Sequence, residues 1–193
     1  MTSVLDETNV ATFPSEDAEQ ELRIQLAAAY RLVDYFGWSE LIFGHLTVRV
    51  PGDQPHFLIN PYGLNYEEVK ASNLVKIDVD GNIIGQSDYP VNQAGFVIHS
   101  SIHMANSNVN KCIMHTHTRA GMAIAAIKEG LQSVSMSSTG FHNRISYHDY
   151  EGVSLYEDER TRLLSNLGEN RAMILRNHGL LVVGRTVAET FIR

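Results

Sequence analysis

His115-Thr116-His117 closes the short apolar run Cys112-Ile113-Met114. Successive side chains of a β-strand point to opposite faces, so an extended backbone here carries His115 and His117 on one face, roughly 6–7 Å apart along the strand. Two imidazoles so placed can reach one cation. A third candidate, His178, stands in Ile174-Leu175-Arg176-Asn177-His178-Gly179, again where an apolar run meets a glycine. Three imidazoles leave coordination positions open for a substrate, which is the catalytic rather than the structural pattern. Each motif alone has a plainer explanation: a single buried histidine is more often a hydrogen-bonded core residue, and His-X-His is weak by itself. Their occurrence together, at the ends of two strands, tilts the balance toward metal binding. Thr116, between the two histidines, is expected to face away from the metal.

These residues need a scaffold, and the hydrophobic pattern outlines one. Residues 1–14 lack periodicity and read as a mobile N-terminal arm. Pro14-Ser15 then opens a helix with acidic residues in its first turn, where the helix dipole favours them. Leu22, Leu26, Ala29, Val33 and Phe36 mark its buried face, and Gly37 ends it. Strands are expected at Leu46–Val50 and His56–Ile59. A hairpin is expected where Leu74–Val79 and Ile83–Ile84 flank the Asp80-Gly81-Asn82 turn. A helix over Gly95–Ala105 precedes the strand Lys111–His115. Thr118 caps a following helix, which should run past Ile127 toward Gly130. The pattern assigns nothing between Val134 and Glu151. A helix over Leu155–Leu167 and strands at Ala172–Leu175 and Leu180–Val183 complete a single domain over residues 15–193. Thr186-Val187-Ala188-Glu189 is a capping-box sequence, yet the chain stops at Arg193 after about two turns. The expectation is therefore a domain lacking its C-terminal elements.

Composition narrows the function classes. At 44% hydrophobic and 19% charged residues, the 193-residue chain has the make-up of an ordinary globular protein. A net charge of -7 argues against nucleic acid or an anionic membrane as partner. No signal peptide and no membrane-length apolar run is evident, so a cytoplasmic location is expected. The lone cysteine, Cys112, has no intramolecular disulfide partner and reads as a small core residue, whereas nine histidines supply ample metal-binding chemistry.

From Leu22 to Arg193 the chain resembles the class II aldolase/adducin family. The resemblance rests on Gly44-His45-Leu46-Thr47-Val48-Arg49, Pro61-Tyr62-Gly63-Leu64, Ile98-His99, His115-Thr116-His117, Asn177-His178-Gly179 and the final capped helix, in that order. It implies an α/β fold: a three-layer α/β/α sandwich around a central, largely antiparallel sheet, assembled as a homotetramer. It also implies a metal-dependent lyase or isomerase of aldolase, epimerase or decarboxylase type, acting on a small hydroxycarbonyl substrate. By the same resemblance His115, His117 and His178 match the metal ligands. Three imidazoles suit zinc best, with manganese, iron, cobalt and nickel left open. Gly44, His45, Thr47, Tyr62 and Gly63 fall where the family binds its substrate.

The chain also departs from that pattern. The family's proton-moving acid falls at Gln93 when counted from Pro90 and near Gly95 when counted back from His99, and neither is acidic. A neutral amide cannot abstract a proton at pH 7. Most hydroxyl donors of the family's phosphate site are missing, so a carboxylate, keto acid or alcohol is at least as good a ligand as a phosphate ester. Gln93, Tyr147 and Tyr150 remain as catalytic candidates, the tyrosines by residue type. Val91-Asn92-Gln93-Ala94-Gly95-Phe96 and Tyr147-His148-Asp149-Tyr150 resemble the adducin branch, which implies the alternative of a non-catalytic binding or scaffold protein with a retained metal site. Decarboxylation, with the metal as electron sink, needs no proton abstraction from carbon. His99 and His103, four residues apart with no intervening Glu-X-X pattern, read as structural.

Overall fold

Leu26, Ala29, Tyr30 and Val33 form the buried stripe of the first helix, α1 (Ser15–Tyr35), in the computed structural model, which describes residues 15–152 and 157–193. Positions 1–14, assigned above to an N-terminal arm, lie outside the described residues. Gly37 ends the helix with φ +66°, and the amides of Gly37 and Trp38 cap the carbonyls of Asp34 and Val33. Phe36, assigned to the buried stripe, falls just past the helix and is half exposed.

The centre of the fold is one seven-stranded sheet. Its strands are β1 (His45–Arg49), β2 (Phe57–Ile59), β3 (Val75–Ile77), β4 (Cys112–Thr116), β5 (Ile145–His148), β6 (Ala172–Leu175) and β7 (Gly179–Gly184). They lie in the order β3-β2-β1-β4-β7-β6-β5, antiparallel throughout except for the parallel pair β5 and β6. Alternation splits the side chains between two faces. Leu46, Val48, Cys112 and Met114 pack against α1 and the last helix, α6 (Val187–Ile192). Ile113, Met173, Leu175, Leu181 and Val183 pack on the other face, beneath α2 (Gln93–Ala105) and α5 (Glu157–Leu167). The α/β/α sandwich expected from the resemblance is thus the observed architecture. Among the described residues no helix is long and apolar enough to cross a membrane.

Where the pattern and the fold differ, polar contacts explain the difference. β5 was invisible because its buried positions are Ser146 and His148, while Ile145 and Tyr147 are half-buried. Ser146 Oγ donates to the Leu167 carbonyl, and Asn166 bonds the His148 ring, so hydrogen bonds replace apolar burial in defining its inner face. Helix α3 (Arg119–Ala125) starts at Thr118, whose hydroxyl accepts from the Gly121 amide, but stops short of Gly130. Its trailing carbonyls are taken from outside: the Asn177 amide binds Ala125, and the Arg176 guanidinium binds Ile127 and Lys128. The expected hairpin at Asp80-Gly81-Asn82 shrinks to one bridge between Ile77 and Ile83, because Asp78 accepts from the amides of Asp80 and Asn82 and closes a tighter turn. At α6, Thr186 caps the Glu189 amide as the box requires, whereas the Glu189 carboxylate reaches back to the Arg185 amide instead of closing on Thr186.

Tyr30 ties α1 to the site-bearing strand. Its buried hydroxyl accepts from the Leu46 amide at 2.6 Å and lies 2.7 and 2.8 Å from Leu46 O and Asn60 Oδ1. Tyr30→Phe leaves the Leu46 amide without a partner at the start of β1. It should cost about 1–3 kcal/mol in urea unfolding, and a loss below about 0.5 kcal/mol would show that solvent replaces the hydroxyl.

Candidate metal centre

His115 is the penultimate residue of β4, His117 follows the strand on the same face, and His178 sits on the turn between β6 and β7. One ring nitrogen from each lies within 4.8 Å of the others, and the three rings stand 4.7–4.8 Å apart, nearly an equilateral triangle. Hydrogen bonds settle two of the tautomers. His115 Nδ1 is 2.9 Å from the Leu180 carbonyl, and His117 Nδ1 is 2.6 Å from Glu40 Oε2. Both partners only accept, so both Nδ1 atoms carry the proton and both Nε2 atoms present lone pairs. Those two Nε2 atoms face each other at 2.9 Å. A contact this short needs a cation or a proton between the two nitrogens, and the donor set fits a divalent ion. Carbonyl and carboxylate partners behind ligating histidines are also what orients them and raises their basicity.

The turn that presents His178 depends on two backbone features. Asn177 adopts φ +56°, a left-handed conformation that asparagine tolerates, and its amide is anchored on the Ala125 carbonyl. At Gly179 an added Cβ would stand 2.5 Å from the Thr116 carbonyl and 2.9 Å from the His117 ring. Only glycine lets β7 start this close to the ligands. Thr116 points to the opposite face of the sheet, toward Thr118 and Leu180, as the alternation requires.

The triad opens into a cleft of about 530 Å³, which Glu40, Gly44, His45, Tyr62, His99 and Tyr150 help to line. Glu40 is the carboxylate the sequence did not reveal. It lies in the loop after α1, 75 residues before His115 in sequence, and belongs to no recognisable motif. Among the described lining residues it is the only acidic side chain. Tyr150 is 55% exposed at the cleft mouth, with its ring 6.1 Å from that of His178. Tyr147 is elsewhere: its hydroxyl accepts from the Leu131 amide, its ring packs on Gly130, and Arg176 stacks over it. It lines a separate hollow with His142. Thr47 does not line the cleft either, being fully buried between His99 and His103, and Gly63 lies on an exposed turn outside it. Gly44, at φ +78°, is needed for packing, since an added Cβ would meet the Tyr66 hydroxyl at 2.7 Å and the His115 carbonyl at 2.9 Å.

This fold has counterparts among known proteins. Residues 24–193 match the family model for the class II aldolase and adducin N-terminal domain. The chain belongs to this family. The crystal structure of an aldolase II superfamily protein from Pseudomonas syringae is 48% identical, with a TM-score of 0.87, over 91% of this chain and 70% of that one. An L-fuculose 1-phosphate aldolase from Glaciozyma antarctica PI12 is 32% identical with a TM-score of 0.83, over 96% of this chain and 72% of the other. Alpha-adducin of Rattus norvegicus is 48% identical over 91% of this chain, which spans 24% of that protein.

Within this class II aldolase and adducin domain, the position of the expected acid has a definite occupant. Gly95 lies in the first turn of α2 with the His45 imidazole packed where its side chain would begin, at 2.6–3.0 Å from an added Cβ. His45 Nε2 binds the Gly95 carbonyl at 2.9 Å. No acidic side chain fits at residue 95 while His45 holds this place. Gln93 opens α2, and its side chain lies outside the described residues. Behind His45 a layer of buried histidines continues with His99, its ring 4.2 Å away, and His103. Burial lowers all of these, and His115 and His178, from the usual value near 6.5, outweighing at His178 the opposing pull of Glu40: His45 and His178 fall to about 4, His103 to about 3, and His99 and His115 well below it. Of the rings lining the cleft, His45, His99, His115 and His178 are therefore neutral at pH 7. Burial likewise pushes the Cys112 thiol up to about 12, so it stays protonated within its strand.

Two outcomes follow for the domain. Gly179→Ala should weaken zinc binding at least tenfold by calorimetry while the far-ultraviolet circular dichroism is unchanged; unaltered affinity would mean that the β7 entrance adjusts freely. The buried histidines are neutral when folded but titrate near 6.5 when unfolded, so the unfolded chain binds more protons between those values. Stability of the metal-free protein is then full above about pH 6.5 and falls as pH drops toward 4, by up to about 1.4 kcal/mol per pH unit for each such histidine. Urea titrations at several pH values measure this, and a flat profile would contradict the buried neutral state.

Proposed function

We propose that the protein is a metal-dependent lyase or isomerase of aldolase, epimerase or decarboxylase type, acting on a small hydroxycarbonyl compound. The observation that carries this reading is the convergence of one ring nitrogen each from His115, His117 and His178 at the wall of a roomy cleft. A divalent cation, zinc being the best match to three imidazoles, supplies Lewis acidity toward the oxygens of a hydroxycarbonyl group. His115, His117 and His178 would hold it, with the Leu180 carbonyl and Glu40 fixing the first two rings. Glu40, the acidic side chain among the described residues that line the cleft, is also the carboxylate to move a proton. Tyr150, beside His178 at the mouth, is the phenol placed to protonate a departing oxygen. His45, Gly44 and Tyr62 complete the substrate wall. The likeness to L-fuculose 1-phosphate aldolase supports this reaction class. A cytoplasmic homotetramer is the assembly that the family resemblance favours.

A second reading is a scaffold protein that keeps the metal site without turnover. It is favoured by the 48% identity to alpha-adducin and by His45 standing where an acidic residue would act.

Zinc-loaded protein offered sugar phosphates and unphosphorylated hydroxyketones separates the two. The enzyme reading expects aldol cleavage, isomerisation, or deuterium exchange at the carbon next to the carbonyl. It also expects Tyr150→Phe to lower kcat by roughly a hundredfold with metal content intact, as for loss of a general acid. A fully metal-loaded, folded protein that gives neither product nor exchange supports the scaffold. Absence of bound zinc after supplementation, with wild-type and His117→Ala alike below about one-tenth equivalent, would remove both.

A further inference from the structure

We propose that His99 on α2 is a specificity-determining residue of the cleft, whose Nε2 accepts a hydrogen bond from a neutral hydroxyl group of the bound ligand. This rests on reading the histidine-lined cleft as the ligand site, and it concerns which chemistry that site recognises.

The inference comes from following protons along a buried relay. His103 Nδ1 lies 2.6 Å from the Asn110 carbonyl, which only accepts, so Nδ1 carries the proton. The ring is fully buried with no carboxylate beside it among the described residues, so Nε2 is a lone pair. That lone pair stands 2.8 Å from Thr47 Oγ1 and takes the hydroxyl proton. Thr47 then has only lone pairs left for its second partner, His99 Nδ1 at 2.7 Å, which must donate. The direction fixed at Asn110 thus reaches His99 and leaves its Nε2 unprotonated. This atom is buried without any hydrogen-bond partner, and its ring forms part of the cleft wall.

The neighbouring ring follows the same rule. His45 Nε2 donates to the Gly95 carbonyl, so its Nδ1 carries a lone pair, with no partner among the described residues. The two imidazoles at this end of the cleft therefore offer acceptors and no donors. A carboxylate brings only lone pairs and would face repulsion against these rings, whereas a hydroxyl brings the missing proton.

The test reads tautomers directly, in protein labelled with ¹⁵N at histidine, with and without zinc, by long-range ¹H–¹⁵N spectra. His99 is expected to show a protonated Nδ1 and an unprotonated Nε2 in both states. Dihydroxyacetone should move the Nε2 resonance in a saturable way, and acetate should not. Thr47→Val removes the lock and should mix the His99 tautomers and weaken dihydroxyacetone binding at least fivefold. Thr47→Ser keeps the hydroxyl and should restore both. A wild-type His99 with its proton on Nε2 overturns the proposal even if Thr47→Val does not fold. So does an unprotonated Nε2 that saturating dihydroxyacetone leaves unmoved, or one that answers acetate instead. Zinc stoichiometry, measured on the same samples, reports on the metal reading separately.

Discussion

The register of β4 between β1 and β7 is the constraint on which the rest of the site depends. Its antiparallel ladders set His45 opposite His115 on one side and Leu181 opposite His115 on the other. The strand period is two, so a slip of one residue in either ladder would turn the ligands into the α1 core and expose Cys112 and Met114 in their place. Both faces are buried, and each resists such a slip. The apolar residues against α1 and those beneath α2 and α5 lock the same register from opposite sides. Gly179 then permits β7 to begin against the His117 ring, and the turn carrying His178 follows from that contact.

Around this frame the electrostatics are those of neutral imidazole rather than of charge. His45, His99, His103, His115 and His178 are all held below the ordinary histidine range by burial. Their behaviour is governed by where single protons sit. Backbone carbonyls at Leu180, Gly95 and Asn110, and the Glu40 carboxylate, assign those protons by accepting them. Each assignment leaves a lone pair on the opposite nitrogen. Two of those lone pairs meet at the metal position, and others line the cleft floor. One set of backbone acceptors thus shapes both metal binding and ligand preference.

Much of this was legible in the sequence where one residue type answers to one physical demand. The stripe of α1, the alternating strands, the caps at Thr118 and Thr186 and the three histidines at strand ends all follow from local pattern. What escaped has a common origin. β5 buries Ser146 and His148, Glu40 arrives from a loop far away in sequence, and α3 yields its last carbonyls to Arg176 and Asn177. In each case a polar group is satisfied by a partner from a distant element, and no periodicity records that. The same cause separates the tyrosines: Tyr147 and Tyr150 look equivalent in sequence, but only Tyr150 faces the cleft.

The family resemblance implied the layered α/β class, and the sequence by itself determined most of the strands and helices and singled out His115, His117 and His178 as candidate ligands. Those depend on hydrophobic period and residue chemistry, which are local properties. The tertiary structure decided the tautomers, the acid partner Glu40, the burial of Thr47 and the filling of the Gly95 position by His45. Hydrogen-bond direction and close packing exist only between elements, so they become definite only once the sheet has fixed its register.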